Sequence, residues 1–216
     1  MKKYFAEFLG TFMLVFLGTS AVVIAKGNVL AIGLAFGLAI TVSAYAFGGI
    51  SGGHFNPAVT TAMVINKRIG IGDAIFYIIA QVIGAAAASA FVLYFVDALK
   101  LSTTALGQTD FPKIPTVTAI VVETLATFLF LMVILNVTSE NHGNSDFAGL
   151  TIGLTLAFLI IATLNLTGGS LNPARSFGPA IFAGGSGLSH LWVYILAPEL
   201  GAILAAICSR FMGTEK

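Results

Sequence analysis

The chain has 216 residues, of which 57% are hydrophobic and only 9% charged, with a formal net charge of +1. A soluble domain carries about 25% charged residues, so this chain lacks the polar side chains to coat a globule in water. That argues against a soluble enzyme, a disulfide scaffold (Cys208 stands alone), a disordered tail and a nucleic-acid binder, and the small net charge implies no bulk electrostatic partner.

About 20 apolar residues cross roughly 30 Å of hydrocarbon as a helix. Apolar stretches at about 4–25, 29–50, 72–96, 117–137, 147–167 and 188–211 predict six spans and leave no room for a second domain. Lys2-Lys3 before an apolar run resembles a signal peptide. Glu7 interrupts the run, which then continues too long for a cleaved segment, so the first stretch reads as an uncleaved span. The breaks carry turn and charge signals: Lys26-Gly27-Asn28, Asn66-Lys67-Arg68, Asp110-Phe111-Pro112-Lys113 and Ser139 to Asp146. Six spans put both termini on one side, with Lys2, Lys3, Lys67, Arg68, Arg210 and Lys216; Lys26, Lys100 and Lys113 lie on the other. The basic excess predicts cytoplasmic termini, although the loop at 138–146 on that side has no Lys or Arg.

The chain repeats itself. Asn56-Pro57-Ala58 recurs as Asn172-Pro173-Ala174, 116 residues later, and the same offset relates Glu7, Leu9, Thr11 and Phe12 to Glu123, Leu125, Thr127 and Phe128. It also relates Gly33, Gly37 and Gly52-Gly53 to Gly149, Gly153 and Gly168-Gly169; Ala80, Gly84 and Ala85 match Ala197, Gly201 and Ala202 at 117. Repeats of about 1–100 and 117–216, joined by a loop at 101–116, each hold three spans. An odd number makes the repeat inverted, with a pseudo-two-fold axis in the membrane plane. After each Asn-Pro-Ala comes a short apolar run, Val59 to Ile65 and Phe177 to Phe182. Such a run is too short to span and reads as a re-entrant half-helix, with Asn as N-cap and Pro at the first helical position. The predicted fold is an all-α membrane protein of six transmembrane helices plus two re-entrant half-helices, one channel domain over 1–216. The half-helix N-termini meet near mid-membrane and place positive partial charge there, which repels cations and suits a neutral hydrogen-bonding solute.

Ser51-Gly52-Gly53-His54-Phe55-Asn56-Pro57-Ala58-Val59, the run Gly168 to Pro179, and the repeated Glu-x-x-x-Thr-Phe resemble the major intrinsic protein family of aquaporins and glycerol facilitators, over nearly the whole chain. The resemblance implies a passive, homotetrameric channel, one pore per subunit, with proton exclusion. It implies that Asn56 and Asn172 present amide donors, and that Glu7 and Glu123 hold the re-entrant loops by accepting backbone hydrogen bonds. By the family's spacing, the selectivity constriction falls on Phe36, Ile160, Gly169 and Arg175. Phe36 and Arg175 fit the water pattern, as does Ser176 where glycerol channels carry Asp. Ile160 fits neither branch, Gly169 adds space, and Ile195 looks like the glycerol branch. The implied function is a water channel leaky to small neutral solutes such as glycerol, hydrogen peroxide or gases; the alternative is a glycerol facilitator, and a third reading is a proton-coupled transporter using Glu7, Glu123 and Glu199. No enzyme motif, metal-ligand cluster or cofactor is implied. The compact build points to a prokaryotic inner membrane. Gly33/Gly37 and Gly149/Gly153 read as helix-packing pairs. His54 reads as structural, and His142 and His190 as loop or interfacial residues. Gly169 stands where some relatives carry a pore Cys, so little mercurial block is expected.

Overall fold

The computed structural model describes residues 1–214. Among these residues are nine helices and no strand: α1 (Lys2–Ile24), α2 (Val29–Ser51), α3 (Pro57–Ile65), α4 (Ile71–Ala98), α5 (Thr116–Val137), α6 (Ser145–Thr167), α7 (Pro173–Ala183), α8 (Gly185–Ser189) and α9 (Leu191–Phe211). Six of them, α1, α2, α4, α5, α6 and α9, are long and apolar enough to cross a membrane, with mean hydropathy from 1.9 to 2.4. Their outward faces carry large apolar side chains such as Phe5, Ile83, Leu125 and Phe158. This is the inverse of a water-soluble surface and fits a hydrocarbon solvent.

The helices start and stop for local reasons. Asn28 caps α2 by accepting from the Ala31 amide at 3.0 Å. Gly52 and Gly168 end α2 and α6 in the left-handed conformation, at φ 88° and 80°. The last span begins at Leu191, three residues later than the hydropathy suggests. Gly184 and Gly185, at φ 66° and 59°, set residues 185–189 apart as the one-turn α8. Both short helices start at the Pro of Asn-Pro-Ala, and α7 runs one residue past Phe182.

Close packing rests on small residues. At Gly37 an added Cβ would sit 2.4 Å from the Gly153 carbonyl oxygen, and at Gly153 one would sit 2.5 Å from that of Gly37. The two glycines let α2 and α6 cross in backbone contact, a pairing that needs small side chains when lipid gives helices no reason to associate. Around this frame α3 packs on α9 and α4, and α7 packs on α4 and α9. The half-helices therefore sit inside the ring of spans. Lys216, one of the basic residues weighed for orientation, lies outside the described residues.

Candidate functional site

The two Asn-Pro-Ala segments meet head to head. Asn56 Oδ1 accepts from the Ala58 amide at 2.9 Å and caps α3; Asn172 Oδ1 accepts from the Ala174 and Arg175 amides at 3.0 and 3.2 Å and caps α7. Each Nδ2 then donates across the junction. Asn56 Nδ2 donates to the Leu171 carbonyl at 2.8 Å, and Asn172 Nδ2 to the Phe55 carbonyl at 2.9 Å. The exchange is reciprocal, and it fixes both helix N-termini at one point.

The residues before the motifs are strained. Phe55 and Leu171 are fully buried with φ of 49° and 55°, a region bulky side chains avoid. Two buried carboxyl groups hold them there. Glu7 Oε1 accepts from Ser51 Oγ (2.6 Å) and the His54 amide (3.0 Å), and Oε2 from the Phe55 amide and Gln81 Nε2 (both 2.7 Å). Glu123 Oε1 accepts from Thr167 Oγ1 (2.6 Å) and the Ser170 amide (3.1 Å), and Oε2 from the Leu171 amide (3.0 Å). The two cradles superpose residue for residue at an offset of 116. They differ in that Gln81 serves Glu7, whereas its counterpart across the repeat is Pro198.

The four expected constriction residues come together. Arg175 is 2% exposed; its Cζ lies 4.7 Å from the centre of the Phe36 ring, and its Nη1 donates to the Gly107 carbonyl at 2.7 Å. Its Nε has no hydrogen-bond partner among the described residues. Ile160 is buried, and a Cβ on Gly169 would sit 2.9 Å from its Cδ1. Gly169 also has φ 59°, a backbone conformation that favours glycine.

Three spaces adjoin these residues, the middle one sharing Ile40 with the first and Arg175 with the last. A vestibule of about 440 Å³ is lined by Lys3, Gly52, His54, Met63, Arg68 and Tyr77 among others, and so lies on the side of the N-terminus. On the opposite side, about 270 Å³ opens among Gly107, Gln108, Asp110, Asn165, Gly168 and Arg175. Between them only about 10 Å³ remains, bounded by Leu14, Phe36, Ile40, Asn56, Phe130, Leu156, Ile160, Asn172 and Arg175.

The whole-chain comparison matches this architecture. Residues 1–209 fit the family model described as major intrinsic protein. The chain belongs to the major intrinsic protein family. It is 80% identical, over the full length of both chains, to a "glycerol uptake facilitator protein-like 6" of Lactiplantibacillus plantarum. It is 39% identical to "Aquaporin AqpM" of Methanothermobacter thermautotrophicus (99% of this chain, 98% of that one), and 39% identical to "Aquaporin Z" of Rhodopseudomonas palustris (99% and 94%). Among solved structures, the aquaglyceroporin of Plasmodium falciparum superposes with a TM-score of 0.86 at 26% identity, over 95% of this chain and 93% of that one. Major intrinsic proteins are membrane channels, so this chain is a multi-pass channel protein and not an enzyme.

Within this member of the family, several supporting residues escape a sequence reading. Tyr77 and Tyr194 each donate to the carbonyl of the residue that serves the carboxyl cradle, Ser51 and Thr167, both at 2.7 Å. The offset of 117 in the third span of each repeat pairs them and is the signal that could have found them. His54 is buried, with Nδ1 3.0 Å from Thr60 Oγ1, as a structural histidine should be. His190 is more than a loop residue: its Nδ1 lies 2.7 Å from Asp110 Oδ1, its ring stacks on Phe111 at 4.2 Å, and Ser186 donates to the other Asp110 oxygen. This cluster anchors the long loop whose Gly107 carbonyl receives Arg175. No periodicity or motif marks it. No group of His, Cys, Asp and Glu among the described residues has the geometry to hold a metal.

Proposed function

We propose that the chain is a passive water channel that excludes protons and admits small neutral solutes, glycerol and hydrogen peroxide among them, at lower rates. The observation that carries this reading is the space of about 10 Å³ between the two vestibules. One water needs about 10–15 Å³ measured this way, so the narrowest part has room for about one water at a time. In this reading Asn56 and Asn172 each spend one amide hydrogen across the junction and offer the second to the passing molecule. Arg175 offers its free Nε and repels cations at the Phe36, Ile160 and Gly169 constriction. The facing N-termini of α3 and α7 add positive potential where a proton wire would otherwise form. Glu7 and Glu123 act by holding the loops.

A glycerol facilitator is the second reading. Ile160 offers an apolar wall, Gly169 offers no side chain, and the relative 80% identical carries a glycerol-facilitator name. We further propose the family's homotetramer, a bacterial inner-membrane location, and cytoplasmic termini supported by the basic residues at Lys2, Lys3, Lys67, Arg68 and Arg210.

Stopped-flow light scattering on proteoliposomes tests the reading. Fast shrinkage in an impermeant osmolyte with slow glycerol entry supports a water channel. Glycerol entry as fast as water exit favours the facilitator reading. No flux above empty liposomes refutes an open channel.

A further inference from the structure

Arg175 stands at the constriction on a single hydrogen bond. Among the described residues its side chain makes only the bond from Nη1 to the Gly107 carbonyl, at 2.7 Å, beside the Phe36 ring. The position of that carbonyl therefore sets where the cation stands. Gly107 belongs to the loop that joins the two repeats, so no second copy of it exists and neither carboxyl cradle holds it. Its placement needs fastenings of its own.

Two side chains shortly after Gly107 supply them. Thr109 Oγ1 donates to Ser176 Oγ at 2.8 Å, on the helix that carries Arg175. Asp110 takes three donors: Oδ1 accepts from the Phe111 amide at 2.8 Å and from His190 Nδ1 at 2.7 Å, and Oδ2 accepts from Ser186. A carboxylate only accepts, so Nδ1 carries a proton, and the bond exists whether or not Nε2 is protonated as well. Small residues let the loop lie close to its neighbours. A Cβ on Gly187 would sit 2.9 Å from Gln108 Cγ, and one on Gly168 would sit 3.0 Å from Thr109 Cα. Asp110 and Arg175 line the same outer space of about 270 Å³. The Asp110 and His190 side chains keep 21% and 33% of their exposure, so outer water reaches the clamp.

We propose that Asp110 and His190 are positioning residues for the filter: they hold the Gly107 carbonyl where it keeps Arg175 at the constriction, and outer acid, by protonating Asp110, loosens that hold and widens the filter. The inference rests on Arg175 standing in the constriction of a working channel, as proposed above. An Arg175 released from Gly107 turns toward the outer space, which takes its bulk and charge out of the passage beside Phe36, Ile160 and Gly169. Protonation of Asp110 turns one oxygen into a donor. Ser186 can rotate to accept from it, so the geometry survives, but the bonds from His190 and Phe111 lose the charge assistance that roughly doubles their strength. The charged groups around Asp110 are His190, from the α8–α9 turn, and Arg175, from α7 across the outer space. The Tyr194 hydroxyl of α9 is committed to the Thr167 carbonyl, and Lys113 on the loop itself is exposed. Against the loop, α1 and the end of α6 present the uncharged Thr19 and Gly168. Partial burial raises the Asp110 carboxyl, but the bonds from Ser186 and His190 outweigh it, so the charged clamp persists until below the ordinary carboxylate value.

Proteoliposomes of the full-length protein test the clamp, with the glycerol-to-water permeability ratio read by stopped flow and proton leak by a trapped pH dye. Asp110→Ala removes all three bonds and should raise the ratio about tenfold, with more proton leak and water flux retained. Asp110→Asn keeps the shape of the protonated acid, with an oxygen for His190 and Phe111 and an N–H for Ser186. It should raise the ratio about threefold at neutral pH and show no dependence on outer pH. His190→Phe keeps a ring on Phe111, deletes the donor, and should also raise the ratio about threefold. Wild type should move reversibly toward the Asp110→Asn ratio as the outer pH falls below about 4. In an Arg175→Val background Asp110→Ala should add nothing, since both act through one cation. A wild-type ratio in Asp110→Ala or His190→Phe, additive effects with Arg175→Val, or an acid response retained in Asp110→Asn would each overturn the proposal. Should Asp110→Ala not fold, the near-isosteric Asp110→Asn decides, and a wild-type ratio there overturns it. Wild-type water flux no faster than empty liposomes refutes the channel reading and the proposal with it, whereas the variants' ratios bear on the proposal alone.

Discussion

Replacing Glu7 by Gln tests the loop-holding cradle at its most connected point. The carboxyl group takes four donors on two oxygens, two of them backbone amides. A Gln side chain keeps one acceptor and turns the other position into a donor. If its oxygen faces Phe55 and Gln81, the His54 amide is stranded, because Ser51 can rotate to accept but an amide cannot. If its oxygen faces Ser51 and His54, Gln81 can flip to present Oε1, which has no partner at present, and the Phe55 amide is stranded. Either orientation leaves one buried N–H unsatisfied, at about 1–3 kcal/mol, and removes charge-assisted bonds worth about 1.5–3 kcal/mol. The total of about 2.5–6 kcal/mol corresponds to a fall in melting temperature of roughly 5–24 °C for a chain of this size. Function should fall with it, since the stranded amide is that of His54 or Phe55, in the segment whose Phe55 carbonyl receives Asn172. Thermal unfolding in detergent and water flux in proteoliposomes read both effects. Glu123→Gln should behave alike. Glu199→Gln is the control, because that carboxyl is only partly buried and lies outside the cradle. Wild-type melting and flux in Glu7→Gln, or an equal loss in Glu199→Gln, would refute the reasoning.

Four further outcomes are expected. Arg175→Val removes the cation and the bond to the Gly107 carbonyl, so proton leak, read with a trapped pH dye, should rise while water flux persists. Ile160→Ala deletes the apolar wall opposite Gly169 and should raise glycerol entry about tenfold over wild type; the mutation also leaves a buried cavity, at a cost of about 2–5 kcal/mol. Mercurials should leave water flux unchanged, since Cys208 lies on the outer face between α5 and α9 and not in the pore. Burial pushes the Asp110 carboxyl up, but hydrogen bonds from Ser186 and His190 outweigh it and hold the group below the ordinary carboxylate value. A lowered folded value stabilises above the unfolded one, so this contribution is complete above about pH 4 and fades as pH falls through the folded value. Melting temperature followed through that window should fall more in wild type than in Asp110→Asn.

How much could be read beforehand depended on how local the cause was. Span positions followed from solvent physics, because a residue facing lipid must be apolar whatever it neighbours. The half-helix starts followed from capping chemistry that acts within three residues, and Asn56 and Asn172 adopt it in the extended backbone of an N-cap. Glu7 and Glu123 were legible through repetition: a costly intramembrane carboxyl that recurs in register marks a shared duty. The last span starts three residues later than its hydropathy suggests because Leu188 is apolar but belongs to the separate one-turn α8, and α9 begins only after the break at His190.

The parts that stayed hidden are contacts between segments far apart in sequence, most of them with no counterpart in the other repeat. Gln81 reaches Glu7 and Thr60 across α1 and α3, yet its partner position across the repeat is Pro198, so repetition gives no hint of it. Thr109 and Asp110 belong to the connecting loop, which has no second copy at all, and they reach Ser176 and His190. Duplication made the pore machinery visible twice, and the departures from it are where this chain has become individual. The same logic applies to the surface. Where one repeat has Phe5, Phe8 and Phe91 on its outer seam and the other has Val121, Thr124 and Cys208, the difference comes from the individual sequence and not from the shared fold.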